Sequence, residues 1–324
     1  MIAVITGASS GIGRATALKF ASKGHNVVLA ARFGAGLDQV VQECEELGAK
    51  AVAVPTDVSL EEDVNRVADR AIETFGQIDV WINNAAVSLF GHFEEIPTYD
   101  IRQLIEINLF GYMYGARAAV RQFRQQGYGT LINISSMAAV NGQPYCVPYT
   151  ISKAGIRGMS LSLSQELADE KDIHVCCVLP AVIDTPIFQH AANYMGKRIN
   201  APAPVIPAEK VAKAIYKLTK HPQEEIMVGS MARMMRAQRL IMPLRMFDKY
   251  MQKMIKNKHF KNEESGPFQG NLYGPMTNWN KVNGGWRAED AGKDTSNALS
   301  IITTFASLAL VGFVVGKAFV QSDR

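Results

Sequence analysis

Cysteine is scarce in this chain: four in 324 residues, at Cys44, Cys146, Cys176 and Cys177. They are too few and too scattered for a disulfide scaffold, and Cys176-Cys177 sits in an apolar run that reads as buried thiols. There is no CxxC and no Cys/His cluster, so nothing suggests a metal site. A dominant charge is lacking too. The formal net charge is +4 with 20% charged residues, which gives no global pull toward nucleic acid. No signal peptide is read at the N-terminus, because Met1 runs straight into an apolar, β-branched stretch.

What is present is apolar residue, 48% of the chain, enough for one large α/β domain with an extension. Ile2–Ile5 reads as a buried strand, followed by TGASSGIG at Thr6–Gly13 and a helical pattern through Phe20. Strand, glycine-rich turn and helix form the context of a dinucleotide site. Gly7 closes the turn, Gly11 lets backbone approach a pyrophosphate, and Gly13 lets the helix pack on the strand. Amides at the helix start then face the phosphates, so Gly7, Ser9, Ser10, Gly11, Ile12 and Gly13 are the candidate contacts. The bland alternative is a plain glycine loop. A second strand, Asn26–Ala31, ends at Ala31-Arg32. The carboxylate that would accept the ribose hydroxyls of NAD is missing there, and a guanidinium suits a 2′-phosphate. NADP(H) is therefore expected, with Arg32 as its partner; otherwise Arg32 is a solvated charge, with Arg14 an alternative or second phosphate contact.

The βα alternation continues through strands at Ala51–Pro55 and Ile78–Ile82. Asp57 follows the first of these, to cap the next helix or to bond adenine. Asn83 and Asn84 follow the second, to lie against cofactor or to bond neighbouring backbone. Asn108 stands inside a long helix, an unfavourable place for an asparagine without a role. Ser136 ends a strand at Thr130–Ile134, and Tyr149 and Lys153 lie one above the other on the following helix. A cation beside a phenol favours the phenolate and eases proton transfer.

These motifs, TGASSGIG, Asp57, NNAA (Asn83–Ala86), Asn108, Ser136, YTISK (Tyr149–Lys153) and LPAVIDT (Leu179–Thr185), resemble those of the short-chain dehydrogenase/reductase family in order and spacing, over roughly residues 1 to 230. The resemblance implies a Rossmann-type, doubly wound, mainly parallel seven-stranded sheet. It implies that Tyr149 is the general acid or base, that Lys153 lowers its pKa and holds the nicotinamide ribose, and that Ser136 polarises the substrate oxygen. Asn108 would hold a water in a proton relay, while Asn84, Pro180 and Thr185 would contact the cofactor. Ala86 and Pro180-Ala181 depart from the glycines usual at those places. The implied activity is carbonyl/secondary-alcohol interconversion. The rival from another class is a catalytically silent NADP-binding sensor or scaffold, which the complete set of Asn108, Ser136, Tyr149 and Lys153 disfavours.

The division expected is a catalytic domain over 1–230 with a substrate loop at 186–207, a basic amphipathic segment over 231–260, a linker over 261–297 and an apolar run at 298–316. In the substrate loop Ile187, Phe188, Tyr194 and Met195 make an apolar lid, and His190 reads as loop decoration. In the basic segment Pro243 must kink or divide the helix. That helix lies either on an anionic membrane or against the core. The uncharged run Ala298–Gly316 is long enough to span a bilayer. The expectation is therefore a single-pass membrane protein with a cytoplasmic catalytic domain and a lipophilic substrate; the rival is a soluble enzyme whose terminal helix makes a homodimer.

Overall fold

A computed structural model of the chain describes residues 1–291. Seven strands form its central sheet: β1 (Ile2–Thr6), β2 (Asn26–Ala31), β3 (Ala51–Pro55), β4 (Val80–Asn83), β5 (Gly129–Ile134), β6 (Ile173–Pro180) and β7 (Glu225–Val228). Their order is β7-β6-β5-β4-β1-β2-β3, and every pair is parallel. Parallel strands need helical crossovers, which cover both faces and allow the strands to be apolar throughout. On one face α1 (Gly11–Ala21), α2 (Gly34–Glu46) and α7 (Ala208–Leu218) enclose Ile5, Phe20, Leu29, Leu37, Ile132 and Val211. On the other, α3 (Glu61–Phe75), α4 (Thr98–Ile105), α5 (Gly111–Gln126) and α6 (Val147–Glu166) meet the sheet, with Val4, Trp81, Leu104 and Phe123 in the core. Burying side chains of this size contributes roughly 1.5–3 kcal/mol each.

The chain runs from β1 outward to β3 and returns to add β4 on the opposite side of β1. That reversal opens a crevice at the carboxyl ends of β1 and β4, the place where ligands bind in open α/β sheets. A buried polar ladder fixes the strands beneath it. Asn83 accepts Trp81 Nε1–H at 2.8 Å and donates to Tyr112 O (3.1 Å) and Asn133 Oδ1 (2.9 Å); Asn133 donates to Ser160 Oγ at 3.0 Å. Asn83 is thus engaged with neighbouring strands and helices, the structural role left open for it by the sequence.

Beyond β7 the chain forms α8 (Ser230–Ile241) and α9 (Leu244–Lys258), divided at Pro243. Helix α9 buries Phe247, Met251 and Ile255, so the packed reading holds for that face; Leu240, Ile241, Leu244 and Met246 at the junction are exposed. Phe260–Glu264 then pairs antiparallel with Lys197–Ile199 of the substrate loop. The segment expected to be a linker therefore returns to the catalytic unit, which extends over Met1–Trp286. Trp286 is buried and Trp279 is exposed.

The expected single-pass membrane location does not stand. No helix among the described residues is long and apolar enough to cross a membrane. The run at 298–316, on which the expectation rested, lies outside the described residues.

A methyl at Gly115 would lie against Asn83 Oδ1 and 2.8 Å from Trp81 Nε1. Gly115→Ala must break the ladder or push α5 off the sheet, at a cost of roughly 2–4 kcal/mol. The midpoint of thermal unfolding should fall by several degrees; an unchanged midpoint would show that the ladder is dispensable.

Candidate active site

The crevice is floored by the turn between β1 and α1. Gly7 adopts φ +64°, and a Cβ there would sit 2.7 Å from Ala85 Cα, so the turn presses directly on the loop after β4. A Cβ on Gly13 would strike Gly7 O and approach Asn84 Nδ2 to 2.7 Å. Asn84 in turn donates to Thr6 O (2.9 Å) and Gly7 O (3.3 Å), and its N–H donates to Thr6 Oγ1 at 2.9 Å. The side chain of Asn84 therefore braces the glycine turn. Ser9, Ser10 and Ile12 are half-buried at the crevice, and Ser10, at the N-cap of α1, makes no side-chain capping bond. A helix N-terminus with a free hydroxyl beside it and no side-chain bulk in the turn fits a pyrophosphate.

Gly11 N–H at that N-terminus donates to Lys281 O at 3.0 Å, and three other nucleotide candidates are likewise engaged within the protein. Asp57 accepts Ser59 N–H (3.0 Å) and Ser59 Oγ–H (2.7 Å), a local turn ahead of α3. Arg14 is buried and pairs with Glu43 and Asn280 O, so it is no longer an alternative phosphate contact. Arg32, half-buried at the end of β2, donates to Leu272 O at 3.2 Å and to Asn271 O. Burial lowers its pKa while Asp57 opposes the shift. Thr185 is buried at the crevice mouth, where a Cβ on Gly11 would meet its side chain at 3.2 Å. Pro180 ends β6, and its carbonyl accepts Met137 N–H at 3.1 Å.

Beside this turn the structure brings Ser136, Tyr149, Lys153 and Asn108 together. Ser136 lies close enough to the Tyr149 hydroxyl to draw its pKa down, and its Oγ accepts Ala138 N–H at 3.1 Å. Lys153 is 2% exposed; its Nζ donates to Ile134 O at 2.9 Å and lies 5.6 Å from the Tyr149 ring centroid. Burial depresses the Lys153 pKa to about 7. Burial also raises that of Tyr149, with Cys146 adding to the rise and Ser136 opposing it. The expected lowering of the phenol by its ammonium neighbour does not hold: Lys153 is not among the groups that shift the phenol, and desolvation sets the sign. Asn108 lies in a π-helical turn, Glu106–Phe110, that widens the helix running from α4 into α5. Its carboxamide accepts Val87 N–H (2.8 Å) and donates to Val87 O (2.9 Å) and Ser152 Oγ (3.2 Å); Ser152 Oγ–H donates to Tyr149 O at 2.8 Å. The carboxamide is thus a satisfied interior amide that ties α6 to the loop after β4.

Several residues lining the site carried no clear signal in the sequence. Tyr112 hydroxyl donates to Ile134 O at 3.0 Å and stands 3.4 Å from Lys153 Nζ; its place in an amphipathic helix gave only a buried aromatic. Tyr145, just before α6, takes φ 62°, which strains a non-glycine residue at the edge of the site. His190 is buried with Nε2 unpartnered, and burial first and Arg32 second draw it down to about 4. It is part of the packed site and not loop decoration.

The family model described as short chain dehydrogenase matches residues 1–195. The chain belongs to the short chain dehydrogenase family. Among relatives of this family, an uncharacterized oxidoreductase, YxnA, of Bacillus subtilis is 38% identical over 82% of this chain and 75% of its own. A 3beta-hydroxysteroid dehydrogenase of Eggerthella lenta is 35% identical over 57% of this chain and 71% of its own. Of solved short chain dehydrogenase-like folds, an alcohol dehydrogenase from Thermococcus sibiricus, complexed with 5-hydroxy-NADP, superposes with TM-score 0.62 at 27% identity. It covers 70% of this chain and 95% of that one. A 3-ketoacyl-(acyl-carrier-protein) reductase from Brucella melitensis, complexed with NADH, gives 0.62 at 25% identity, covering 70% and 96%. This short chain dehydrogenase is accordingly an oxidoreductase whose fold binds a nicotinamide nucleotide.

The buried lysine predicts a pH signature. Its folded pKa is about 7 against 10.5 in the free side chain. Below pH 7 both states hold the proton and the buried charge opposes folding throughout. Between about 7 and 10.5 the unfolded chain holds a proton that the folded chain lacks, so stability rises with pH. Lys153→Met removes that slope. Its gain in thermal midpoint over wild type should be largest near pH 6 and shrink toward pH 10. Parallel pH profiles for the two proteins would contradict the burial of the charge.

Proposed function

We propose that this enzyme interconverts a carbonyl and a secondary alcohol on a lipophilic substrate, with NADP(H) as cofactor. The observation that carries the reading is the convergence of the Tyr149 hydroxyl, the Ser136 hydroxyl and the Lys153 ammonium beside the glycine turn. When bound, the nicotinamide gives or receives the hydride. The residues of the chain do the rest. Ser136 donates to the substrate oxygen and holds it against Tyr149. The phenol gives that oxygen its proton in reduction and takes it back in oxidation. Lys153, fixed by Ile134 O, offsets the phenolate that remains. An apolar cluster of Phe90, Ile255 and Phe260, with Tyr145, Phe188, Met195 and Met254 packed on it, adjoins Tyr149 and suits an apolar substrate. A relative named for steroid alcohols agrees with that choice.

NADP(H) rests on Arg32 at the end of β2 and on the lack of a carboxylate there. Two guanidinium N–H groups reach backbone carbonyls, and three remain for a phosphate.

Tyr149→Phe tests the chemistry. Turnover of lipophilic ketones, followed at the NADPH absorbance, should fall on the order of a thousandfold. NADPH affinity should stay within about twofold; unaltered turnover removes the mechanism. Arg32→Ala tests the cofactor. The Kd for NADPH should rise roughly 10–100-fold with little change for NADH, the loss of one or two charge-assisted bonds. Equal effects on both cofactors would return the preference to open question.

A further inference from the structure

Residues 268–286 contain no helix before Trp286 and no strand, yet they follow the groove from one end to the other. At the glycine turn, Lys281 O accepts Gly11 N–H at 3.0 Å and Asn280 O accepts Arg14 Nη1–H. At the end of β2, Leu272 O and Asn271 O accept the two Nη groups of Arg32. At the mouth beside β6, Asp184 Oδ1 accepts Gly284 N–H and Trp286 N–H, both at 3.0 Å, and Thr185 O accepts Trp286 Nε1–H at 3.0 Å. These are the three places at which a dinucleotide would rest its phosphates, its adenosine ribose and its carboxamide.

The segment is also tied down along its length. Asp100, a fully buried carboxylate in the first turn of α4, accepts the hydroxyls of Tyr194 and Tyr273, the latter at 2.8 Å. Phenolic donors and the helix N-terminus together make a buried carboxylate tolerable. Through it α4, the substrate loop and the segment share one anchor. Asn271 N–H donates to His190 O at 2.9 Å, and Leu272 is 1% exposed in the core beneath α4.

We propose that Phe268–Trp286 is a strap that forms the outer wall of the dinucleotide groove and selects the cofactor by holding the Arg32 guanidinium in place for a 2′-phosphate. The inference rests on the nicotinamide reading above. Two adjacent carbonyls fix the fork in one plane, so its freedom is already lost before an anion arrives, and the remaining N–H groups meet the phosphate without that cost. Shifting the strap should therefore weaken the phosphorylated cofactor more than the unphosphorylated one.

Gly270 offers the handle. It adopts φ +57°, and a Cβ there would strike His190 O and come within 2.7 Å of Ala191 C and Ala192 N. Gly270→Ala must displace the two carbonyls that follow it. Gly266→Ala meets nothing within 4 Å and serves as the control. Fluorescence titration of the full chain should show the Kd for NADPH raised about tenfold in Gly270→Ala, that for NADH by less than twofold, and neither changed in Gly266→Ala. Equal weakening of both cofactors, or none, overturns the proposal. If Gly270→Ala does not fold, Tyr273→Phe removes one hydroxyl from Asp100 and should lower the NADPH-to-NADH affinity ratio about threefold; an unchanged ratio overturns it equally. A wild-type chain that binds both cofactors while the ratio stays fixed in these variants leaves the nicotinamide reading intact and removes only the strap's role. A wild-type chain that binds neither removes both.

Discussion

An ammonium group kept from water beneath the cleft is the constraint around which this molecule is built. A charge in that position costs several kcal/mol unless its surroundings hold it firmly. The chain supplies them through Ile134 O and the Tyr112 hydroxyl. Ile134 O accepts from both Lys153 Nζ and the Tyr112 hydroxyl, and Ser135 Oγ–H donates to Lys153 O at 2.8 Å. The end of β5 and the middle of α6 are thereby fixed to each other within a single hydrogen-bond network. Tyr149 inherits that rigidity, because its side chain stands one helical turn before the lysine.

The cleft is assembled by polar groups that touch no ligand. Asn84 shapes the glycine turn, Asn83 and Asn133 lock β4 to β5, and Asn108 joins α6 to the loop after β4. The π-turn at Glu106–Phe110 interrupts regular α-helix where Asn108 must point at Val87. Here the interior of the sheet sets where the reacting groups stand, and the surface loops set what they meet.

Much of this was legible in the sequence. The parallel sheet follows from apolar runs alternating with helical patterns, and Gly7, Gly11 and Gly13 announce the turn because only a missing Cβ allows its contacts. Tyr149 and Lys153 were visible as an i, i+4 pair. The sign of the Tyr149 shift was not, since spacing reveals neighbours and not the dielectric around them. Nor was the destination of residues 261–286: Gly, Asn and Pro composition marks the absence of regular structure, but main-chain carbonyls bonding Arg32 and Gly11 leave no trace in side-chain pattern. Asp57 takes the local turn with Ser59, one of the two roles open to it, whereas Arg14 meets Glu43 from 29 positions away, and a charge seen alone in a sequence carries no record of such a partner.

Arg14 and Asn280 are in contact although 266 positions separate them. Translation is directional, so the glycine turn leaves the ribosome well before the segment that borders it has been made. A chain cut short before Phe268 would hold every strand of the central sheet and lack the carbonyls that meet Gly11 N–H and Arg32.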